Sequence, residues 1–477
     1  MVAPSIQLTV VDGGLGSTGS NTDRLVAVFG CCSAGSVGSL AYYSSPATLI
    51  QDYGYGPGVS LACYVMATSG QGVAFGKAVE DVAGASGSVT HNGTGTSVVT
   101  VTGTPFDSLE VQVTVTAGGT IGTDVCRARI SLDGGVTNIG TFQIPGSSLA
   151  IPKSGIGLAF AAGTLVAGDT YTFSTSAPQS TSVSGAGSIV ANIGLLPAYA
   201  ASHGGTYPTL VADADARDDA SVVAIQAAMD ALGVGYEYAR CITSAPSPFD
   251  YPTLSDWSAD ITLNFANVDA LRTSVGAGLV HLLDPTIGAY VYRSVAFPLS
   301  ARLASTKVHV DPAWVALGGV PGVRALVHDE RLEAGLDDAR FSTMTTLVGQ
   351  PGYFITNGRL MAPPSSDYQL VQYGRVMDKI CRYTYGYFLQ RLSQSVRLNP
   401  TTGRILEVEA QGLENGNDAQ LAANVVSDGN VSAVKTTVSR TDNLAVPNAP
   451  FHAQVATVPL GYLKQIVVNL FFVNPAA

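Results

Sequence analysis

The chain has 477 residues, which predicts about three domains, and only 12% of them are charged, about half the share in an average soluble protein. With 46% hydrophobic residues it is too apolar for a disordered protein, and its formal net charge of −11 argues against a nucleic-acid binder, which needs clustered Lys and Arg. The 53 glycines and 24 prolines indicate a turn-rich globular protein, and its unusually apolar surface is of a kind that contacts other protein.

The N-terminal end has the pattern of a short strand on a flexible tether. Ile6, Leu8 and Val10 alternate with polar residues, and this period is typical of a strand. Residues 13–21 are rich in Gly and Ser, which predicts a linker. We therefore assign residues 1–22 to an N-terminal arm and linker, and residues 23–83 to the first part of a globular core.

Residues 14–19 also match the G-x-G-x-x-G pattern of dinucleotide-binding sites. That pattern requires a helix after the last glycine and an acidic residue about twenty positions later. Here residues 25–29 are a predicted strand, and no Asp or Glu occurs between Arg24 and Gln51, so a linker is favoured. The same charge-free stretch contains too many Gly and Ser residues for a membrane helix, and we expect no membrane insertion.

Residues 84–182 differ in composition from the rest of the chain. Threonine becomes frequent, and short alternating runs such as residues 110–116 recur between turn signals such as Asp133-Gly134-Gly135. About seven such runs in a hundred residues predict a β-sandwich of immunoglobulin type. Borders rich in small residues indicate that this sandwich is inserted into a loop of the core and folds as an independent unit.

Residues 183–345 have the pattern of a second, α/β part of the core. Residues 221–233 are a predicted helix because their apolar side chains fall on one face, and residues 278–283 and 290–295 are predicted strands. Asp213, Asp215, Asp218 and Asp219 precede the helix. Such a group could hold a divalent cation, but carboxylates also collect where a helix dipole favours them, and we prefer this second interpretation.

No other group of residues in the chain predicts chemistry. We interpret residues 328–331, a His-Asp-Glu-Arg cluster, as surface ion pairs, because no nucleophile stands beside them. The six histidines are scattered, no Cys lies at zinc-ligand spacing, and neither a P-loop nor a nucleophile elbow occurs. We therefore predict no enzymatic activity, no catalytic residues, no cofactor and no metal.

Residues 346–463 contain the longest predicted helix, over residues 367–393. Arg375, Lys379 and Arg382 lie on the face opposite an apolar stripe. This basic face is either solvated or docks an acidic partner surface. Beyond it, residues 405–411 and 433–440 are predicted strands.

Residues 464–477 contain a strand that is apolar on both faces. One face carries Ile466, Val468, Leu470 and Phe472, and the other carries Val467, Phe471 and Val473. Left as a free edge, such a strand would aggregate, so it is buried either in its own domain or in a neighbour. The tethered N-terminal strand favours the second alternative, in which both ends join sheets of neighbouring subunits.

Several stretches together resemble a known family. Residues 130–135 and 167–175 look like the β-domains of phage tail proteins. Residues 352–361 with the long helix after them, and the terminal strands, resemble the tail sheath proteins of contractile bacteriophages, particularly Mu-like and related myophages. Residues 188–340 match only in general α/β character. The resemblance implies a mixed α+β, multi-domain fold: an α/β sheath core with an inserted all-β immunoglobulin-like sandwich and terminal β-strand arms.

The resemblance also implies a function. Sheath subunits polymerise as stacked hexameric rings around the tail tube and contract to drive the tube through the host envelope. The implied partners are other copies of the chain, the tail tube protein, and the baseplate and tail terminator proteins. The implied location is the virion, after assembly in the host bacterial cytoplasm.

Three sets of residues follow from this assignment. Both terminal strands would cross to neighbouring subunits. Ile405, Glu407 and Glu409 are our candidate acceptor strand for them. The predicted helix of residues 367–393 would contact the tube through Arg375, Lys379 and Arg382.

Other functions stay open. A capsid-decorating protein or adhesin built around the sandwich would leave the terminal strands unexplained. An α/β hydrolase-like enzyme would need a nucleophile and a base, for which the sequence offers no candidate. A bacterial secretion sheath is nearer in function, but those sheaths are usually built from two chains.

Overall fold

The computed structural model describes residues 22–446, 449–464 and 466–468. The first part of the body contains β1 (Val26–Gly30), β2 (Ala41–Tyr43), α1 (Pro46–Tyr53), α2 (Pro57–Ser69) and β3 (Val73–Lys77). The insertion contributes β4 (Ala85–Ser86), β5 (Thr90–Asn92), β6 (Val99–Gly103), β7 (Glu110–Ala117), β8 (Gly119–Thr120), β9 (Arg127–Ser131), β10 (Gly140–Gln143), β11 (Ser148–Ala150), β12 (Ile156–Phe160), β13 (Thr164–Leu165) and β14 (Thr170–Ser176).

The body then resumes and leads into the C-terminal part. Its elements are α3 (Ile189–Ile193), α4 (Leu196–Ser202), β15 (Leu210–Ala216), α5 (Asp219–Val234), β16 (Arg240–Ser244), α6 (Leu254–Asn264), β17 (Thr273–Gly276), β18 (Leu279–Leu283), β19 (Tyr290–Ser294), α7 (Ala296–Ser305), β20 (Val323–Leu326), β21 (Met344–Leu347) and β22 (Gln350–Ile355). The C-terminal part contains α8 (Val371–Leu389), α9 (Glu407–Leu421), β23 (Ala433–Val438) and β24 (Ala453–Val458).

A six-stranded sheet forms the centre of the body, in the order β17-β16-β15-β1-β3-β2. All neighbours are parallel except the edge strand β2. Every residue of β1 is buried, because helices cover both faces of the sheet. Val26 and Val28 pack with residues of α2 and α7, whereas Ala27 and Phe29 pack with residues of α3 and α5. The two faces of one strand thus belong to two separate hydrophobic cores.

The close approach of β1 and α2 depends on two glycines. Gly30 ends β1, and Gly58 lies in the first turn of α2. The N–H of Gly58 donates to the carbonyl of Cys31 over 3.1 Å. A β-carbon on Gly58 would lie 2.7 Å from the carbonyl carbon of Gly30. Only a residue without a side chain fits between these two backbones.

We expect the Gly58→Ala variant to lose about 2 kcal/mol of unfolding free energy, because the added methyl group pushes two backbones apart. This reverses the usual gain of about 1 kcal/mol for this exchange in a helix. Urea unfolding measures it, with Gly386→Ala in α8 as the control. A β-carbon there meets no atom within 4 Å, so the control should be more stable than the parent. Equal stabilisation of both variants would contradict the close packing.

The insertion consists of antiparallel sheets around one core. A larger sheet has the order β10-β9-β7-β14-β4, and a smaller one has the order β11-β12-β6. Buried side chains of both, such as Val113 and Leu158, pack in one cluster. The insertion is therefore built from β-strands as predicted, while its organisation as a sandwich of immunoglobulin type stays a prediction. The same cluster contains Ile287, Ala289 and Val291 of the body, so the insertion shares its core with the body instead of standing apart as expected.

The structure confirms the predicted long helix as α8, but the predicted strand over residues 405–411 is wrong. Glu407 and Glu409 lie in the first turn of α9, where carboxylates suit the positive end of the helix dipole, and Ile405 directly precedes that helix. The candidate acceptor strand therefore does not exist. Ala410, Glu414, Asn417 and Leu421 are the buried side chains of α9, and the two polar members obscured its helical period.

Candidate site at the two chain ends

The N-terminal segment is joined to the body at Asp23. This residue lies in a short 3-10 turn, Thr22–Arg24, immediately before β1. Its carboxylate accepts a hydrogen bond from Arg382 and lies 3.1 Å from the Lys379 ammonium. Its backbone carbonyl accepts a hydrogen bond from Arg375 over 3.2 Å. Three cations of α8 thus hold the point from which residues 1–21 extend, and we call these contacts the N-terminal anchor.

The N-terminal anchor corrects our interpretation of the basic face of α8. Arg375 and Lys379 are each only 4% exposed, and Arg382 is paired with Asp23. These side chains point into the chain, so they do not form the exposed, tube-facing stripe that we expected. Helical periodicity identified the basic face correctly, but the body covers it. That covering depends on contacts more than 350 residues apart in sequence, with a separation of 359 residues between Asp23 and Arg382.

Burial affects the cations of the anchor in different ways. It lowers the pKa of Arg375 to about 10, because this guanidinium is desolvated and Asp23 compensates only in part. Its Nε and Nη1 atoms have no hydrogen-bond partner among the described residues. Burial also acts to lower the pKa of Lys379, but hydrogen bonds to Asp428 and Asp23 outweigh it and raise that pKa. Lys379 is therefore held charged between two carboxylates.

The C-terminal segment is joined to the body by residues 460–464. The Tyr462 hydroxyl donates to the carbonyl of His309 over 2.6 Å, and the Tyr373 hydroxyl donates to the carbonyl of Leu460 over 3.1 Å. The Lys464 ammonium donates to Asn357 Oδ1 over 2.6 Å and pairs with Asp311. We call these contacts the C-terminal anchor. Sequence reasoning missed both anchors, although Asp23 is conspicuous as the last acidic residue before a long charge-free stretch.

The predicted arm residues lie mostly outside the described part of the chain. This holds for Ile6, Leu8 and Val10, and for Leu470 and Phe472. Ile466 and Val468 are described: they belong to no strand, and they are 71% and 68% exposed. Their predicted role in a neighbouring sheet stays a prediction.

The hairpin of β23 and β24 has one open strand edge. Among the described residues these two strands pair only with each other, over six residues each. Asn417 donates to the Thr436 hydroxyl over 2.8 Å, and Asp418 accepts from the Thr436 N–H over 2.6 Å, which fixes the hairpin on α9. A two-stranded sheet is marginally stable by itself. The outer edge of β23 is occupied, because the N–H groups of Thr436 and Val438 donate to Asp418 and Glu414 of α9. The outer edge of β24 has no strand partner among the described residues and is able to accept one.

A second polar cluster lies at the carboxyl end of β15. Arg217 donates to both carboxylate oxygens of Asp213 and lies 3.8 Å from Asp215, and all three side chains are buried. Of the predicted helix-start carboxylates, Asp218 does cap α5 and Asp219 does lie in its first turn. Asp213 and Asp215 instead form this internal ion cluster. Among the described residues, no group of three or more His, Cys, Asp or Glu side chains is placed to hold a metal ion.

Asp215 makes stability depend on pH. Burial, reinforced by the neighbouring Asp213 and opposed by Arg217, raises its pKa to about 7. Because the native state then holds a proton that the unfolded chain releases, unfolding free energy falls as the pH rises from about 4 to about 7. We expect Asp215→Asn to be more stable than the parent by about 2 kcal/mol at pH 8, with the difference vanishing near pH 4.

Chemical unfolding at several pH values measures this difference. Asp218→Asn is the control, because this exposed residue keeps an oxygen for its helix cap and relieves no burial. A constant difference between Asp215→Asn and the parent over the whole pH range would contradict the prediction.

The interpretation of residues 328–331 as surface ion pairs is wrong. His328 and Glu330 are buried, with 3.2 Å between His328 Nε2 and Glu330 Oε2. Glu330 also accepts hydrogen bonds from the N–H groups of Gly335 and Asp337, and these and His328 lower its pKa against the effect of burial. The cluster organises a turn inside the body.

Within the described residues, no helix has the length and apolar character needed to cross a bilayer.

Comparisons with known proteins agree with this architecture. A family model described as DUF2586, N-terminal domain, matches residues 3–359, and one described as DUF2586, C-terminal domain, matches residues 367–477. The helical sheath of the anti-feeding prophage in its contracted state matches with a TM-score of 0.53 and 10% identity, over 99% of both chains. This likeness shows a common fold.

Two further solved structures are similar to the chain. A sheath tail protein from Desulfitobacterium hafniense has a TM-score of 0.46 and 14% identity, with coverage of 96% of this chain and 100% of that one. A sheath tail protein from Listeria innocua has a TM-score of 0.44 and 12% identity, with coverage of 92% and 96%. No curated protein matches the chain.

Proposed function

Because the chain belongs to the DUF2586 family and has the fold of a contractile sheath subunit, we propose that it is the sheath subunit of a contractile phage tail. Copies of it polymerise as stacked hexameric rings around the tail tube, and contraction of this lattice drives the tube through the host envelope. The role is structural rather than enzymatic. The observation that carries the proposal is the fold shared with a helical sheath over 99% of both chains.

The two chain ends are the proposed connections between subunits. Both leave the body from fixed points, the N-terminal and C-terminal anchors. Residues 1–21 and 465–477 would reach a neighbour and extend its β23–β24 hairpin at the outer edge of β24, which has no strand partner among the described residues. The exposure of Ile466 and Val468 supports this, because exposed apolar side chains that lie close together in a chain are typical of a surface that another protein covers.

Burial of the apolar side chains of an arm provides enough free energy to hold two subunits together. Each fully buried aliphatic or aromatic side chain contributes about 1.5–3 kcal/mol, so the three apolar residues of the N-terminal strand contribute several kcal/mol. Ordering the arm and fixing the subunit oppose this gain. Repetition around a ring and along a helical lattice then makes the assembly stable through many moderate contacts.

We also propose the partners and the location of the protein. Its partners are other copies of itself, the tail tube protein, and the baseplate and tail terminator proteins at the two ends of the tail. It would be a virion protein, assembled in the cytoplasm of the host bacterium. No nucleic acid is involved, in keeping with the formal net charge of −11.

Negative-stain electron microscopy of the purified full-length protein tests the proposal. A sheath subunit should form tubes of stacked rings as the protein concentration rises, since all contacts between subunits are carried by one chain. Averaging along the tubes should show sixfold symmetry. Particles that stay monomeric or trimeric at every concentration, with and without added tube protein, would rule the proposal out.

A further inference from the structure

We propose that α8 ties the two chain ends to each other, so that loosening one anchor loosens the other. Only the biological role of this coupling rests on the proposed function: in a contractile sheath, both chain ends would transmit force between subunits. Its structural basis is a set of contacts within one chain. These contacts run from Asp23 through α8 to Tyr462.

The first path is the helix itself. Tyr373, in the first turn of α8, holds Leu460 of the C-terminal anchor, and Arg375, Lys379 and Arg382 hold Asp23 of the N-terminal anchor. Fewer than three helical turns separate these side chains. A helix of this length moves as one rigid body, so a displacement at one anchor also displaces the groups that hold the other.

The second path is a series of polar contacts beside the helix. Lys379 bridges Asp23 and Asp428, with its Nζ 2.9 Å from Asp428 Oδ2. Two residues further along the same turn, Asn430 Oδ1 lies 2.8 Å from His309 Nδ1. The carbonyl of His309 accepts the hydrogen bond from Tyr462. The series therefore links the carboxylate of one anchor to the aromatic ring of the other.

Apolar packing keeps both paths in register. Val376 and Ile380 of α8 pack in one cluster with Val308, which is adjacent to His309, and with Val431, which is adjacent to Asn430. The rings of Tyr373 and Tyr462 lie 5.4 Å apart at an angle of 53°. Because packed interiors resist small deformations, the helix cannot roll away from one anchor while it keeps the other.

Two natural trypsin sites report on the anchors. Arg24 follows Asp23, donates to the carbonyl of Ser305 and is followed by Leu25 and β1, so cleavage after Arg24 requires the N-terminal anchor and the start of β1 to open together. Lys464 belongs to the C-terminal anchor, so cleavage after Lys464 requires that anchor to open. When opening is fast relative to cleavage, the rate follows the population of the open state. Native proteolysis of the unassembled full-length subunit therefore measures both anchors in one experiment.

The test uses two variants on opposite sides of α8. Asp23→Asn removes the charge of the N-terminal anchor and should raise the cleavage rate after Lys464 by about fivefold, at the lower end of couplings between sites. Tyr462→Phe removes one hydroxyl from the C-terminal anchor and should raise the cleavage rate after Arg24 similarly, because such coupling is reciprocal. Each cleavage rate is divided by the rate for the same variant unfolded in urea. This division removes the direct effect of the substitution on how well trypsin cleaves the site.

Lys435→Gln is the matched control. It breaks an ion pair with Asp418 in the same C-terminal part, on a side chain that is 63% exposed and belongs to neither anchor. Both cleavage rates should stay unchanged. If Asp23→Asn raises cleavage only after Arg24, or Tyr462→Phe raises it only after Lys464, the anchors open independently and the tie does not exist.

The remaining outcomes are also decisive. If Asp23→Asn unfolds the chain because buried cations lose their partner, every tryptic site is cut, and the milder Tyr462→Phe variant alone decides the question. Because the measurement uses unassembled subunits, a failure to form tubes would overturn the proposed function and leave this result intact. A negative proteolysis result would in turn leave the proposed function standing.

Discussion

The Arg293→Met variant should lose about 3–5 kcal/mol of unfolding free energy. Arg293 lies in β19 of the body and donates to both oxygens of Asp107 in the insertion, over 2.7 and 2.5 Å. It also donates to Asp284 of the body over 2.7 Å, and all three side chains are buried. Removing the cation leaves two carboxylates close together without a counter-charge. Removing one partner of a buried ion pair is strongly destabilising, because the remaining charge is buried without compensation. This holds even though the intact pair is often no more stabilising than apolar side chains of similar volume.

Urea unfolding followed by circular dichroism measures this loss. Arg397→Met is the matched control, because the Arg397 side chain is 74% exposed where it pairs with Glu409. An exposed pair contributes at most about 1 kcal/mol, so the control should stay close to the parent. Because Arg293 joins the insertion to the body, its loss should also increase proteolysis at the border residues of the insertion. A variant as stable as the control would show that the two parts are held together by apolar packing alone.

Deleting residues 1–21, or residues 465–477, should yield a folded subunit that forms no tubes. The described body keeps its sheets, cores and anchors without either segment, so the thermal unfolding midpoint should change little. What is lost is the connection to the neighbouring subunit, and a helical lattice cannot grow without it. Sedimentation and negative-stain microscopy at matched concentrations measure the loss of assembly.

Variants of unchanged length sharpen this test. Replacing Ile6, Leu8 and Val10 by serine removes the apolar face of the N-terminal strand and should also abolish tube growth. Rewriting residues 13–21 as another Gly/Ser sequence keeps a flexible tether and should preserve it. If the deletion of residues 465–477 unfolds the monomer, that segment belongs to the sheet of its own subunit, and the C-terminal arm does not exist.

Local patterns in the sequence were sufficient for the elements with the most regular burial pattern. The alternation of β7 and β14, the apolar stripe of α5 and the long period of α8 each predict the element that the structure contains, within a few residues. These signals are reliable because a strand or helix repeats its burial pattern several times within its own length.

The predictions that failed concern residues whose burial depends on tertiary contacts. Residues 405–411 alternate like a strand, yet most of them belong to a helix whose buried face includes Glu414 and Asn417. Both side chains make hydrogen bonds to β23, Glu414 with the Val438 N–H and Asn417 with the Thr436 hydroxyl. The carboxylates of Asp213 and Asp215 precede a helix in sequence, but Arg217 and the end of the parallel sheet place them in the interior. Polar side chains at buried positions carry no apolar signal, so periodicity cannot reveal them.

The sequence by itself determined that the fold is mixed α/β and that both chain ends are apolar. Only the tertiary structure decided that the basic face of α8 is internal and holds Asp23. It also identified β24 as a strand with an open outer edge among the described residues, and it placed both anchors beside one helix. The physical reason is that a helix face or a strand edge is defined locally, whereas its partner is brought to it by the packing of residues hundreds of positions away.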